Sequence, residues 1–131
     1  MGNIDIESLA AAYIDQYVDP IYRTDDNVFL ERKVDWPAAQ EVIDLTLRGD
    51  PELVWQFVLS VIGKTDNEQL LSLVAAGPLE DLVEGHGPRF IERIEMLARS
   101  NQRFREMLHG VWRSSTPEIW ARIESARGAC L

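Results

Sequence analysis

Proline and glycine fall at short intervals along this chain, and each sits where a helix has to begin or end. Asp50-Pro51-Glu52 and Thr116-Pro117-Glu118 each set a capping side chain before a proline at the first helical position, with a carboxylate facing the positive end of the helix dipole. Asp66-Asn67-Glu68-Gln69 reads as a capping box and Asp35-Trp36-Pro37 as a further start. Gly77-Pro78 and Gly87-Pro88 read as stops that open the next helix at once. Strand alternation is almost absent, so a chain punctuated this densely has mainly short helices open to it.

Between these boundaries apolar residues recur at three and four. Ile6, Leu9, Ala10, Tyr13, Ile14 and Tyr17 form one stripe, and Ala39, Val42, Ile43, Thr46 and Leu47 the next. Leu53, Val54, Trp55, Phe57, Val58, Val61 and Ile62 make a helix apolar nearly all round, which belongs at the centre of a core. Shorter stripes follow at Leu70 to Val74, Leu79 to Val83, Phe90 to Ala98, Phe104 to Trp112 and Ile119 to Ile123. The expected fold is all-α: about eight short helices in antiparallel pairs, as a compact HEAT-like or orthogonal helical bundle. Starts at Asp35, Asp50 and Asp66 are near-regular, but the residues between them do not repeat. Residues 19–33, polar and broken by Pro20, are expected as an irregular connecting loop with Val28, Phe29 and Leu30 clipping it to the body.

At 131 residues, 46% apolar and 27% charged, the composition predicts a single helical domain spanning residues 1–131 that is stable without disulfides or a structural metal. Cys130 has no partner for an internal disulfide, which fits a cytoplasmic, reducing location. The start Met1-Gly2-Asn3-Ile4-Asp5 lacks the basic and apolar regions of a secretion signal, and Ile6 stands where a myristoylation signal needs Ser or Thr. No stretch has the apolar length of a membrane span.

The net charge of −9 is unevenly spread. Residues 1–87 carry 17 acidic and 5 basic side chains, whereas residues 88–131 carry 5 acidic and 8 basic ones. Those eight are all arginines: Arg89, Arg93, Arg99, Arg103, Arg105, Arg113, Arg122 and Arg127. Arginine favours fixed, bidentate pairing, so they are expected to pair with glutamates one turn away, as Arg89 with Glu92, and with acidic groups of the first half. An anion or nucleic-acid site is the sharper alternative, and overall acidity opposes it because a duplex would be repelled. An acidic face for a basic protein partner is the more natural inference.

The run Ala75-Ala76-Gly77-Pro78-Leu79-Glu80-Asp81-Leu82, followed by His86-Gly87, Ile94-Glu95, Ala98, Phe104-Arg105, Leu108 and Gly110-Val111-Trp112, resembles a bacterial family known as domain of unknown function 6869. The resemblance covers about residues 36–127. It implies a bacterial, cytosolic, helical protein and supplies no activity.

Physically, that run reads as a tight junction in which Gly77 ends one helix in the left-handed conformation, Pro78 opens the next, and Glu80 and Asp81 complement the free amides of its first turn. Its functional reading is a cluster of Glu80, Asp81, Glu84 and His86 that binds a divalent metal or does acid-base work. Against it stands the lack of a second histidine at ligand spacing, and His109 reads as a polar residue near a helix end. No phosphate loop, nucleophile elbow or dinucleotide fingerprint is present, so no catalytic residue or cofactor is expected.

Trp55 and Trp112 are expected as core anchors. Trp36, beside the acidic loop of Asp25 and Asp26, and Trp120, near the carboxy-terminal arginines, are the alternative exposed anchors of a protein interface to which Arg89 and Arg93 would also belong. Three functions follow in order. The first is a small acidic cytoplasmic protein-interaction module, of the immunity-protein kind or a regulator, that binds a basic protein. An enzyme or metal protein using the Glu80 cluster comes next, and a nucleic-acid binder using the arginines last.

Overall fold

A computed structural model describes residues 5–18 and 37–128. Helix accounts for 87% of the described residues, and none of them is in a strand. The chain divides into two compact units, Met1–Thr65 and Asp66–Leu131.

The first unit holds α1 (Ile6–Val18), α2 (Pro37–Arg48) and α3 (Pro51–Lys64). Asp5 caps α1, its carboxylate accepting the Ser8 backbone N–H at 3.1 Å and the Ser8 hydroxyl at 2.8 Å. Asp50 caps α3 as its sequence predicts, accepting the Glu52 N–H at 2.8 Å ahead of Pro51. Between α1 and α2 the link is a side chain: Gln16 Oε1 accepts the Ala38 N–H at 2.9 Å and satisfies one of the free amides of the α2 first turn. The core is built on α3, where Phe57, Val58 and Val61 are wholly buried and the Tyr13 ring of α1 meets Phe57 edge-on at 5.3 Å. Burial pushes the Tyr13 phenol pKa well up. Lys64 lies 2.9 Å from Glu7, and that contact draws the Glu7 carboxyl pKa down.

The α2 stripe differs from expectation. Ala38, Val42 and Leu45 face the core, while Ile43 and Leu47 are exposed, Leu47 at 77%. Both sets obey helical spacing, and packing against α1 and α3 selected the stripe displaced toward Ala38 and Leu45.

The second unit begins with α4 (Glu68–Val74), continues through a π turn (Ala75–Leu79) and passes without interruption into α5 (Glu80–Ser100). Asn67 is the cap, accepting the Leu70 N–H at 3.0 Å. The expected break at Gly77-Pro78 does not occur, and Gly77 is not left-handed. Proline lacks the N–H an α-turn requires, and the wider π turn passes over it while Ala75, Pro78 and Leu79 are buried. At the second expected break the chain bends: His86 has φ −139° and ψ 27°, and the helix resumes through Pro88. Three expected helices are therefore one run, and the described residues form six helical runs where about eight were expected.

After α5 come α6 (Gln102–Met107), a 3-10 turn (Leu108–Gly110) and α7 (Pro117–Arg127). Asn101 caps α6 through the Phe104 N–H at 2.9 Å, and Thr116 caps α7 through the Ile119 N–H at 3.3 Å. Gly128, at φ 74°, closes α7 in the left-handed region. Phe90, Ile94, Phe104, Leu108 and Ile123 fill the core of this unit. No helix among the described residues is long and apolar enough to cross a membrane.

At Gly87, α7 and the segment before it come close to α5. A methyl group at Gly87 would meet Ser115 Oγ at 2.7 Å and Ile119 Cγ2 at 3.0 Å, while one at Gly63 in α3 would meet nothing within 4 Å. Gly87→Ala is expected to destabilise the protein by about 1–3 kcal/mol through overpacking. Gly63→Ala should instead stabilise it by about 0.5–1 kcal/mol by favouring helix. Urea unfolding of the two variants checks both signs.

Candidate functional site

Two glutamates one helical turn apart share a face of a helix, and in α5 that face meets the segment at residues 111–116. Glu80 Oε1 accepts the backbone N–H of Trp112 at 2.9 Å, and Glu84 Oε1 accepts that of Ser115 at 2.8 Å. Both are charge-assisted bonds, roughly twice as strong as neutral ones. Ser115 sits at φ 66°, a left-handed conformation that a non-glycine residue holds at a cost of about 1–2 kcal/mol. Glu84 helps keep it there. Val111 turns inward and is buried, so its neighbour Trp112 is turned outward, with 75% of its surface exposed.

The same arrangement bears on the alternative reading of Glu80, Asp81, Glu84 and His86 as a metal cluster. Glu80 and Glu84 bind backbone amides of the 111–116 segment in place of the helix-end amides that the uninterrupted run no longer leaves free. His86 is exposed at the kink, and no three His, Cys, Asp or Glu side chains among the described residues come together as a metal-binding group. Asp81 is exposed, and its carboxyl pKa is raised by partial burial and by the negative charge of Glu80 and Glu84.

Trp112, expected as a core anchor, is exposed; Trp55 is buried as expected, and Trp120, for which an exposed interface anchor was the alternative reading, is buried at 5%. Residue 112 lies just past the 3-10 turn, where helical spacing no longer governs which side chain faces inward. Trp36, Asp25 and Asp26 lie outside the described residues, as do Cys130 and residues 19–33.

The arginines find partners both across the unit and along their own helix. Arg122 of α7 grips Glu95 of α5 with two bonds of 2.8 and 2.6 Å. Arg89 and Arg93 lie over the Phe90 ring at 5.5 and 4.8 Å, and Arg127 lies over Trp120 at 5.3 Å. Arg105 donates to the Ala98 carbonyl. The expected pairing along one helix is seen in Arg127 and Glu124, at 3.8 Å.

A second feature was not foreseen. A cleft of about 650 Å³ opens between α4 and α6, lined by Leu71 and Met107 together with Asp66, Glu68, Arg103 and Glu106. These residues are some forty positions apart in the chain, and no local pattern joins them.

Residues 25–130 match a family described as "Family of unknown function (DUF6869)". No curated protein and no solved structure matches the chain.

Two outcomes follow from these contacts. Removing the acceptor with Glu84→Ala is expected to speed amide hydrogen exchange at Ser115 and to leave that of the α3 core unchanged, read residue by residue by NMR. The Arg122 hydrogen bond lowers the Glu95 carboxyl pKa from its ordinary 4.5. A lowered folded-state value makes the contact stabilising above the unfolded pKa, and that stability is lost as pH falls through the folded one. Glu95→Gln should therefore melt below the parent at pH 7, and the gap should close as pH drops below about 4.5; melting curves across pH measure it.

Proposed function

The chain belongs to the DUF6869 family, and on that premise we propose that it is a small acidic protein-interaction module of the bacterial cytoplasm, of the immunity-protein kind or a regulator, that binds a basic protein. One observation carries the reading: Trp112 is an exposed indole on a segment whose backbone is held by Glu80 and Glu84. A large apolar ring presented to solvent has an unfavourable hydration that a partner removes, and tryptophan is among the residues that dominate interface energies. Holding the backbone in place lowers the entropy lost on binding. The net charge of −9 favours a basic partner and fast, salt-sensitive association. Cys130, alone in the sequence, is consistent with a reducing compartment.

The two other readings have less support. Metal or acid-base work by the Glu80 cluster would need carboxylates that already accept loop amides. Nucleic-acid binding would need free guanidinium groups sharing a face, and Arg89, Arg93, Arg105, Arg122 and Arg127 are engaged with rings, a carbonyl and a carboxylate.

The test is an affinity pull-down of the tagged protein and its Trp112→Ala variant from bacterial cytosol, at low and moderate salt, with mass spectrometry. A basic protein held in stoichiometric amount by the parent, lost on raising salt and reduced with the variant, is the expected result. Identical recovery by both proteins, or no partner at all, would falsify this reading.

A further inference from the structure

We propose that the surface around Trp112 receives a cationic segment of the partner, an arginine or lysine side chain lying over the indole and pairing with Asp81, an inference that rests on the interaction reading above. The face of an indole attracts cations, and the Trp112 ring has 75% of its surface open to one. The Trp112 backbone is bonded to the start of α5, which carries three carboxylates. Glu80 and Glu84 are occupied with the Trp112 and Ser115 amides. Asp81, by contrast, is exposed and makes no hydrogen bond or ion pair among the described residues.

Asp81 sits in the negative field of Glu80 and Glu84, and burial together with that field raises its carboxyl pKa. A cation brought by a partner relieves the repulsion. Arg113, exposed beside Trp112, is a single positive charge against three negative ones, so the local balance still favours a cation. Because the 111–116 segment is tied at two amides, its backbone is fixed relative to α5 before the partner arrives.

The probe is a synthetic peptide of alternating arginine and serine, titrated calorimetrically into the full chain, with a glutamate and serine peptide of equal length as its opposite. The arginine peptide should bind and the glutamate peptide should not. Trp112→Ala and Asp81→Asn should each weaken binding by roughly tenfold. Glu41→Gln on α2 removes the same charge from an exposed position elsewhere and should leave it unchanged. Absence of binding, or equal weakening by Glu41→Gln and Asp81→Asn, overturns the proposal. A photo-crosslinking amino acid at position 112 in living cells separates it from the broader reading. Capture of a basic protein supports both, capture of an acidic one overturns the cationic partner alone, and no capture together with no peptide binding removes both.

Discussion

Two carboxylates reach from the first turns of α5 to backbone amides some thirty residues later, and the second unit is organised by that reach. Glu80 and Glu84 are available for it because the chain does not end a helix at Gly77-Pro78. A helix beginning at Pro78 would have left free amides in its first turn, and Glu80 and Asp81 would have served them. With the run continuing through a π turn, those amides are engaged within the helix, and the carboxylates turn to the 111–116 segment instead. Gly87 completes the fit: only a residue without a side chain lets Ser115 and Ile119 approach α5 so closely. A π turn, two acceptors and one glycine together fix where Trp112 emerges.

The arginines show how a charge run is read differently by the chain and by the fold. Along the sequence, Arg89 has Glu92 at a favourable spacing, and a solvated helix face is the simplest account. In the unit, guanidinium groups lie over the rings of Phe90 and Trp120, and Arg122 grips Glu95 across two helices. The planar, delocalised guanidinium stacks on rings and matches a carboxylate with two parallel bonds, which an ammonium cannot do. These arginines therefore cover aromatic core residues while keeping their charge near water.

The first unit is simpler. Phe57 and its neighbours on α3 supply the buried area, Tyr13 adds an edge-on contact, and Gln16 ties α1 to the start of α2. Among its described residues, exposed large apolar side chains are Ile43 and Leu47, one turn apart on α2, and Leu59 on α3.

Helix starts at Pro37, Pro51 and Pro117 and the cap at Asp50 were legible in the sequence because a cap and a proline act within one turn of chain. The all-helical class was legible too, since spacing at three and four repeats over most of the length. Family membership was also readable from the residues around Ala75 to Trp112. Sequence by itself therefore determined the kind of structure and most places where helices begin. It did not determine whether Pro78 and Pro88 end a helix, because that depends on whether burial of Leu79, Leu82 and Phe90 outweighs a disturbed hydrogen-bond ladder. Nor did it decide which tryptophan faces water, or what Glu80 and Glu84 bind. Those depend on groups about thirty residues apart, and only tertiary packing brings such groups within hydrogen-bond distance.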